Sequence, residues 1–211
     1  MLKKVVPDVI VSRLPVYLRA LQFLHLEGVQ NTSSLELGGK VNISAAQIRK
    51  DLSQFGEFGK QGTGYNVEAL IDHLQTILQV GSIWDVMVIG MGDMGHALVR
   101  YNGFRDRGFR ISDCFDNDPN KIGNKVGDYI IKDVTYIPTI DNVSRKMVML
   151  CVPAKAAQVI TNKLVEIGIK AILNYAPVHL SVPSDVKVQY IDPVIGLQRM
   201  AYYLNQNEDA S

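Results

Sequence analysis

The chain has only two cysteines, one tryptophan and four histidines in 211 residues. Cys114 and Cys151 stand alone, without C-x-x-C spacing, which speaks against a disulfide framework, a redox pair or a thiolate metal site. Both lie in apolar runs, where buried, reduced thiols are expected. Long hydrophobic runs are also missing. None approaches the roughly 18 residues that a membrane-crossing helix needs, and no signal-peptide pattern is visible. The expected compartment is therefore the cytoplasm. An excess of one charge is lacking too, the net charge being +1. Its distribution says slightly more: residues 1–66 carry eight basic against five acidic side chains. That asymmetry is compatible with nucleic-acid contact at the N-terminal end.

What is present is a composition of 47% hydrophobic and 20% charged residues, enough for a good core in one large or two small domains. The most informative stretch is Ile83 to Gly95. Val86-Met87-Val88-Ile89 reads as a strand buried on both faces. It runs into Gly90-Met91-Gly92-Asp93-Met94-Gly95, a G-x-G-x-x-G turn, and then into a segment of helical character. Strand, glycine turn and helix form the dinucleotide fingerprint: Gly90 for the tight turn, Gly92 for close approach of a diphosphate, Gly95 for helix–strand packing. The diphosphate would sit on free N–H groups at the helix start. A second apolar run, Phe109 to Phe115, ends at Asp116, 21 residues beyond Gly95, where the fingerprint places an acid for the ribose hydroxyls. A carboxylate there repels a 2′-phosphate and favours NAD(H) over NADP(H). The competing reading is a glycine turn in an ordinary α/β domain.

The N-terminal part reads as helices. Residues 1–12 lack periodicity, and Pro7 argues against a regular helix through them. Leu14, Tyr17, Leu18, Leu21 and Leu24 mark one face of a helix that Ser12 caps and Gly28 ends. Ser33 and Glu36 have capping-box spacing and open a short helix stopped at Gly38-Gly39. Ser44 opens a third, with Ala45, Ile48, Leu52 and Phe55 on one stripe and Ala46, Gln47, Arg49, Lys50, Ser53 and Gln54 exposed. Two capped helices after a longer one suggest a helix-turn-helix whose last helix reads the major groove. Arg49 and Lys50 reach phosphates or guanine, and Gln47 reaches adenine. Phe58 to Tyr65, glycine-rich with Lys60 near its tip, resembles a wing. The alternative is a three-helix dimerisation module. A helix from Val67 to about Gln79, closed by Gly81-Ser82, links the parts, with a boundary near residue 80.

Strands and helices then alternate. Short strands are expected near Tyr129–Ile131 and Val134–Ile137 and a buried one at Met147–Val152. A helix follows over 155–167, then strands at Ile169–Leu173 and Val186–Ile191. Lys121 sits in a turn where it can reach the adenosine side. Ligands bind beyond the carboxyl ends of such strands, so Val152-Pro153-Ala154 and Asn174-Tyr175-Ala176-Pro177 are candidate walls for a nicotinamide. Asp192 caps a C-terminal amphipathic helix with Pro193 at its first position.

The whole chain resembles the Rex family of redox-sensing transcriptional repressors. The resemblance rests on Arg13-Leu14-Pro15 with Tyr17 and Arg19, Thr32-Ser33-Ser34, Ile48 to Ser53 with Phe55-Gly56, and Gly62-Thr63-Gly64-Tyr65. It continues through Gly90 to Gly95, Tyr101-Asn102, Phe115-Asp116, Lys121-Ile122-Gly123, Val152-Pro153-Ala154, Ile172-Leu173-Asn174 and Ile191-Asp192. Departures are small: Arg49-Lys50 where some members have two arginines, Tyr175 where phenylalanine is common, and Asp93 at a variable position. The resemblance implies a winged helix-turn-helix domain over 1–80 and a Rossmann-type doubly wound parallel sheet over 81–191. A C-terminal helix, swapped between the subunits of a homodimer, would occupy 192–211. It implies an inverted-repeat operator in double-stranded DNA, released by NADH and bound with NAD+ or with no cofactor. Tyr101 would lie near the nicotinamide, and Asp192 would bond to it or to Arg19, coupling the two sites.

The expected cofactor set is Gly90, Met91, Gly92, Asp93, Met94, Gly95, Tyr101, Asp116, Lys121, Val152, Pro153, Ala154, Asn174, Ala176, Pro177 and Asp192. The expected DNA set is Ser33, Ser44, Gln47, Arg49, Lys50 and Ser53 from the helices, with Lys60, Gly62 and Tyr65 from the wing. An enzyme, either an NAD-dependent dehydrogenase or a CoA-ligase-like nucleotide domain, is the competing class. A dehydrogenase needs a proton donor, and of His25, His73, His96 and His179 only His179 is placed to serve. No residues remain for a substrate domain, so no catalysis and no metal are expected.

Overall fold

The computed structural model describes residues 6–59, 64–141, 143 and 146–208. The chain divides into two compact units, Met1–Ser82 and Ile83–Ser211.

The first unit is helical. It comprises α1 (Asp8–Val11), α2 (Leu14–Leu26), α3 (Ser34–Val41), α4 (Ala45–Leu52) and α5 (Val67–Leu78). A small antiparallel ladder joins β1 (Asn31–Thr32) to β2 (Tyr65–Asn66). Apolar residues at helical spacing on α2, α4 and α5 converge on one core: Tyr17 and Leu21 meet Leu37, Ile48, Leu52 and Leu74. Each such side chain stabilises the unit by about 1.5–3 kcal/mol on burial.

Four local expectations change. Pro7 does not exclude a helix; it stands at the N-cap of α1 and its carbonyl accepts the Ile10 and Val11 N–H groups. Ser12 closes α1 and donates its hydroxyl to Val9 O, while Arg13 takes the N-cap of α2. The short helix opened by Ser33, α3, runs through Gly38-Gly39 and ends at Asn42 in the left-handed region (φ 54°). Gly38 is a contact glycine rather than a stop: a Cβ there would collide with the Ile43 carbonyl oxygen of the turn folding back over it. Likewise α5 closes at left-handed Gln79 (φ 57°), before Gly81-Ser82.

The second unit is a seven-stranded sheet in the order β5-β6-β4-β3-β7-β8-β9. Its strands are β3 (Trp84–Ile89), β4 (Phe109–Asp116), β5 (Lys125–Val126), β6 (Tyr129–Asp133), β7 (Lys146–Leu150), β8 (Ala171–Asn174) and β9 (Lys187–Tyr190). All ladders are parallel except the edge pair β5–β6. Three helices accompany them: α6 (Asp93–Arg100), α7 (Ala154–Glu166) and α8 (Pro193–Glu208). Alternate residues of β3 serve opposite faces. Met87 and Ile89 pack with Ala157 and Leu164 of α7, whereas Val86 and Val88 pack with Val99 of α6. That two-sided burial is why the strand carries no polar alternation. The expected strand at Val134–Ile137 is instead a 3-10 turn over Val134–Thr139, started by the Asp133 side chain accepting the Thr135 N–H (2.8 Å) and containing Pro138. Among the described residues no helix is long and apolar enough to cross a membrane, and no cluster of His, Cys, Asp and Glu is suited to a metal ion.

Candidate functional site

The chain leaves central β3 for β4 on one side and reaches β7 on the other, so strand order reverses beside β3. Crevices form at such a reversal, beyond the carboxyl ends of the strands. Here the loops are laced together: Gly90 N–H donates to Phe115 O (2.8 Å) and Cys151 N–H to Ile89 O (2.7 Å). Gly90 adopts φ +94°, and a Cβ on it would meet the Cys151 carbonyl oxygen. A Cβ on Gly95 would meet the Gly90 carbonyl oxygen, which holds the start of α6 against the turn. Gly92, the N-cap of α6, supplies no capping side chain, and a Cβ added there would meet nothing within 4 Å. No side chain caps the first turn of α6, and Gly92, Asp93 and Met94 line an open cleft. This is the cradle a diphosphate requires, and the residues fit a dinucleotide.

The cleft above Gly92 has a volume of about 520 Å³, within the usual range for small-ligand sites. It brings together Gly90, Gly92, Asp93 and Met94 from the turn and Asp116 and Lys121 from the end of β4. Val152 and Pro153 form its far wall after β7. Met91 and Gly95 lie buried under the turn as its support. Ala154, the first residue of α7, is exposed beside this wall without lining the cleft.

Asp116 differs from the simple fingerprint reading. It is 5% exposed, and its oxygens are held within the protein. Oδ2 accepts the Met91 N–H (2.7 Å) and the Lys121 ammonium (3.2 Å), and Oδ1 accepts the Asp118 N–H (2.9 Å). Burial pushes this carboxyl up, but the bonds from Asp118, Met91 and Lys121 outweigh it and hold its pKa below the ordinary value. With three of about four lone-pair sites occupied, Asp116 is a clamp on the glycine turn before it is a ligand. Asp118, two residues on, is half-buried on the cleft wall and uses only Oδ1, for the backbone and side-chain amides of Asn120. Among the described residues its Oδ2 accepts no hydrogen bond.

In the first unit, α3 and α4 carry the candidate nucleic-acid face. Ser33 and Glu36 complete a capping box, and Ser44 Oγ accepts the Gln47 N–H (3.2 Å). Arg49 and Lys50 are exposed on α4, and Arg49 Nη1 donates to Ser34 Oγ (2.8 Å). Ser53 is exposed and donates to Lys50 O (2.8 Å). Gln47 is half-buried, its Nε2 donating to Asp51 Oδ1 (2.7 Å). Tyr65, expected at the DNA, is 8% exposed and packs with the leucines of the unit, where β2 pairs with β1. Lys60 and Gly62 lie outside the described residues.

Comparison with known proteins matches residues 5–53 to the family description "Putative DNA-binding protein N-terminus" and residues 82–178 to "CoA binding domain". A redox-sensing transcriptional repressor Rex of Chloroflexus aurantiacus is 52% identical over 96% of both chains. The Rex of a Roseiflexus species is 48% identical over 94% of this chain and 90% of its own. The chain belongs to the Rex family of redox-sensing transcriptional repressors. Among solved structures, RSP in complex with β-NAD+ and operator DNA superposes with a TM-score of 0.91 at 37% identity, covering 97% of this chain and 95% of that one. RSP with β-NADH gives 0.86 at 35%, covering 97% of both. A Rex protein is a regulator, not an enzyme.

Tyr101, Asn174, Ala176, Pro177 and Asp192, also expected at the cofactor, do not line this cleft. Tyr101 is 49% exposed beyond the end of α6, edge-on to Phe104, with Arg107 Nη1 3.4 Å from its hydroxyl. Asn174 is buried and knots its own loop, accepting the Ala176 N–H (3.0 Å) and donating to Ala176 O and Val178 O. Ala176 is buried and Pro177 exposed. Asp192 Oδ1 accepts the Val194 N–H (2.9 Å) at the start of α8. Arg19 is exposed on α2 and lies over the Phe23 ring (6.0 Å). The Rex thiols are quiet: burial pushes Cys151 up to about 12, and burial with nearby Asp113 does the same for Cys114.

Proposed function

We propose that two copies of this chain form a homodimer whose α4 helices read the half-sites of an inverted-repeat operator, and that NADH held in the Gly90–Gly95 cleft releases it. NAD+, or an empty cleft, permits binding. The observation that carries the proposal is the presence in one chain of an uncapped, sterically open diphosphate cradle and a capped helix pair exposing Arg49 and Lys50. Relatives of known structure hold NAD+ with operator DNA, or NADH, over nearly the same length.

Each residue has a part. The amides of Met94 and Gly95, with the Gly92 backbone, receive the diphosphate. Asp118 accepts from the ribose, and Asp116 with Lys121 keeps the turn in shape. Val152 and Pro153 supply an apolar wall on the nicotinamide side, joined by Ala154, Tyr101, Asn174, Ala176, Pro177 and Asp192 in the closed dimer. The bound group supplies a ring that is neutral when reduced and positive when oxidised. A desolvated apolar wall disfavours the positive ring unless it is paired. Ser33, Ser44, Arg49, Lys50 and Ser53 contact the DNA backbone or base edges, Gln47 a base, and the wing's Lys60 and Gly62 the adjoining groove.

Dimerisation is supported by α8, whose Val194, Leu197, Met200 and Leu204 are all more than half exposed. Such an apolar stripe needs a cover, and exchange with a second copy supplies one. On α2, exposed Val16, Phe23 and Leu26 flank Arg19 and offer a complementary surface. Asp192 of an exchanged helix, paired with Arg19 in one state and with Tyr101 in the other, links cleft to reading head. The two recognition helices must stand about 34 Å apart to enter successive major grooves, and a small rotation ends that match. A coupling of about 1–3 kcal/mol per site makes a change of two orders of magnitude ordinary for two sites. Thiols pushed up to about 12 by burial stay protonated, which favours sensing through the cofactor over cysteine oxidation. Acting on DNA, the protein works in the cytoplasm. A gel shift with a palindromic fragment selected by the protein tests the reading: NADH should abolish the shifted band and NAD+ should preserve it. Equal binding in both would refute it.

A further inference from the structure

Asp51 is fully buried within α4, the helix assigned to the major groove, yet it is charged. Four donors saturate it. Oδ2 accepts Arg13 Nε (2.6 Å) and the Tyr17 hydroxyl (2.7 Å); Oδ1 accepts Arg13 Nη2 (2.7 Å) and Gln47 Nε2 (2.7 Å). Arg13 and Tyr17 belong to the start of α2, 38 and 34 residues away in sequence. Joining two helices explains Arg13 and Tyr17. It does not explain Gln47, which lies one turn earlier on the same helix as Asp51 and adds no tie between helices.

The Gln47 contact has a consequence for reading DNA. A free glutamine samples many rotamers and loses that freedom on binding a base. Held by Asp51, Gln47 is ordered before DNA arrives, and one N–H of its amide is committed. Its second N–H and its carbonyl oxygen remain, the donor and acceptor that match adenine N7 and N6 in the major groove. We propose that Asp51, too buried to touch DNA, sets base discrimination by holding the Gln47 amide in its reading position, with Arg13 and Tyr17 as its anchors. This rests on the reading of α4 as the recognition helix. Asp51, Arg13 and Tyr17 are positioning residues, and Gln47 is the group that meets the base. Preorganisation of this kind raises the cost of the wrong base more than it raises overall grip.

The test uses the full-length protein and a duplex library with two randomised half-sites. Base preference at each position is read by sequencing the bound fraction, and affinity and salt dependence by fluorescence anisotropy on the selected duplex. Gln47→Ala should relax preference at one base pair per half-site. Asp51→Asn should relax the same base pair about tenfold, which is 1.4 kcal/mol, and leave the slope of affinity against salt unchanged. Arg13→Lys, which withdraws Nη2 from Oδ1 while keeping the charge, should relax it in the same direction and serves if Asp51→Asn does not fold. Tyr17→Phe removes one bond to Oδ2; it should lower the melting temperature and relax the same base pair less than Arg13→Lys does. If Gln47→Ala relaxes one position while Asp51→Asn and Arg13→Lys weaken every duplex equally, Asp51 is only structural and the proposal is overturned. If Gln47→Ala relaxes no position, Gln47 reads no base and the proposal also falls, while the α4 assignment survives. If Arg49→Ala with Lys50→Ala leaves DNA binding unchanged, the assignment of α4 itself has failed.

Discussion

Asp116→Asn separates a clamp on the glycine turn from a ligand for the ribose. The carboxylate accepts backbone N–H groups on both oxygens, from Met91 at 2.7 Å and Asp118 at 2.9 Å, with Lys121 adding a third donor at 3.2 Å. An asparagine retains one carbonyl oxygen, so however it is turned its NH2 faces one of the two backbone N–H groups. One bond to a charged acceptor is lost, about 1.5–3 kcal/mol, and a buried donor is left opposed, about 1–3 kcal/mol more. Lys121 is 37% exposed and regains water, so its share is small, about 0–1 kcal/mol. The total, about 2.5–7 kcal/mol, brackets the roughly 3–5 kcal/mol usual for breaking a buried charge interaction. For a unit of this size it lowers the melting temperature by roughly 10–15 °C. The single tryptophan, Trp84, lies in β3 and makes its fluorescence a specific reporter of the second unit. The melt is recorded without cofactor, and NADH is then titrated at a temperature where the variant is folded. A cofactor-free melt that moves by less than about 2 °C would refute the clamp. If such a variant also lost NADH, Asp116 would return to the role of ribose acceptor.

Three further outcomes follow from the same geometry. Arg49→Ala with Lys50→Ala should weaken operator binding at least tenfold and reduce its salt slope by about two, with NADH titration unchanged; loss of both activities together would contradict separate units. Gly92→Ala should leave the Trp84 melt in place and weaken NADH binding more than tenfold, because the new methyl projects into open space. Gly95→Ala should instead destabilise the unit by about 1–3 kcal/mol, because its methyl meets the Gly90 carbonyl. The reverse pattern in the two melts would show that the turn is wrongly understood. Acid should unfold both units through the same kind of group. Burial raises Asp51 and Asp116, but their hydrogen bonds outweigh it, so both pKa values lie below those of the unfolded chain. Their contribution is complete above about pH 4 and is lost as pH falls through the lower folded values. The urea midpoint should thus hold steady from about pH 7 to 5 and drop below about pH 4; a midpoint unchanged down to about pH 2 would exclude them as acid-sensitive points.

The features legible in the chain are those written in neighbouring residues. The G-x-G-x-x-G turn between an apolar run and a helix, the capping box of Ser33 and Glu36, and the leucine spacing of α2 each use residues within a few positions of one another. The boundaries that shifted did so through local contacts that apolar spacing does not record. Gly38 is helical because the turn at Ile43 passes over it, and residues 134–139 curl because Asp133 starts a 3-10 turn.

From sequence alone came the pairing of a capped helix pair with a dinucleotide fingerprint, since caps, glycine turns and apolar periods act over one or two turns of chain. Only the tertiary structure decided which polar groups are spoken for. Asp116 turned inward to hold Met91, and Tyr65 turned into the core. Asp51 found Arg13 and Tyr17 across more than thirty residues. A side chain's hydrogen-bonding capacity is exhausted by whatever the fold brings to it, and no local pattern records who those distant partners will be.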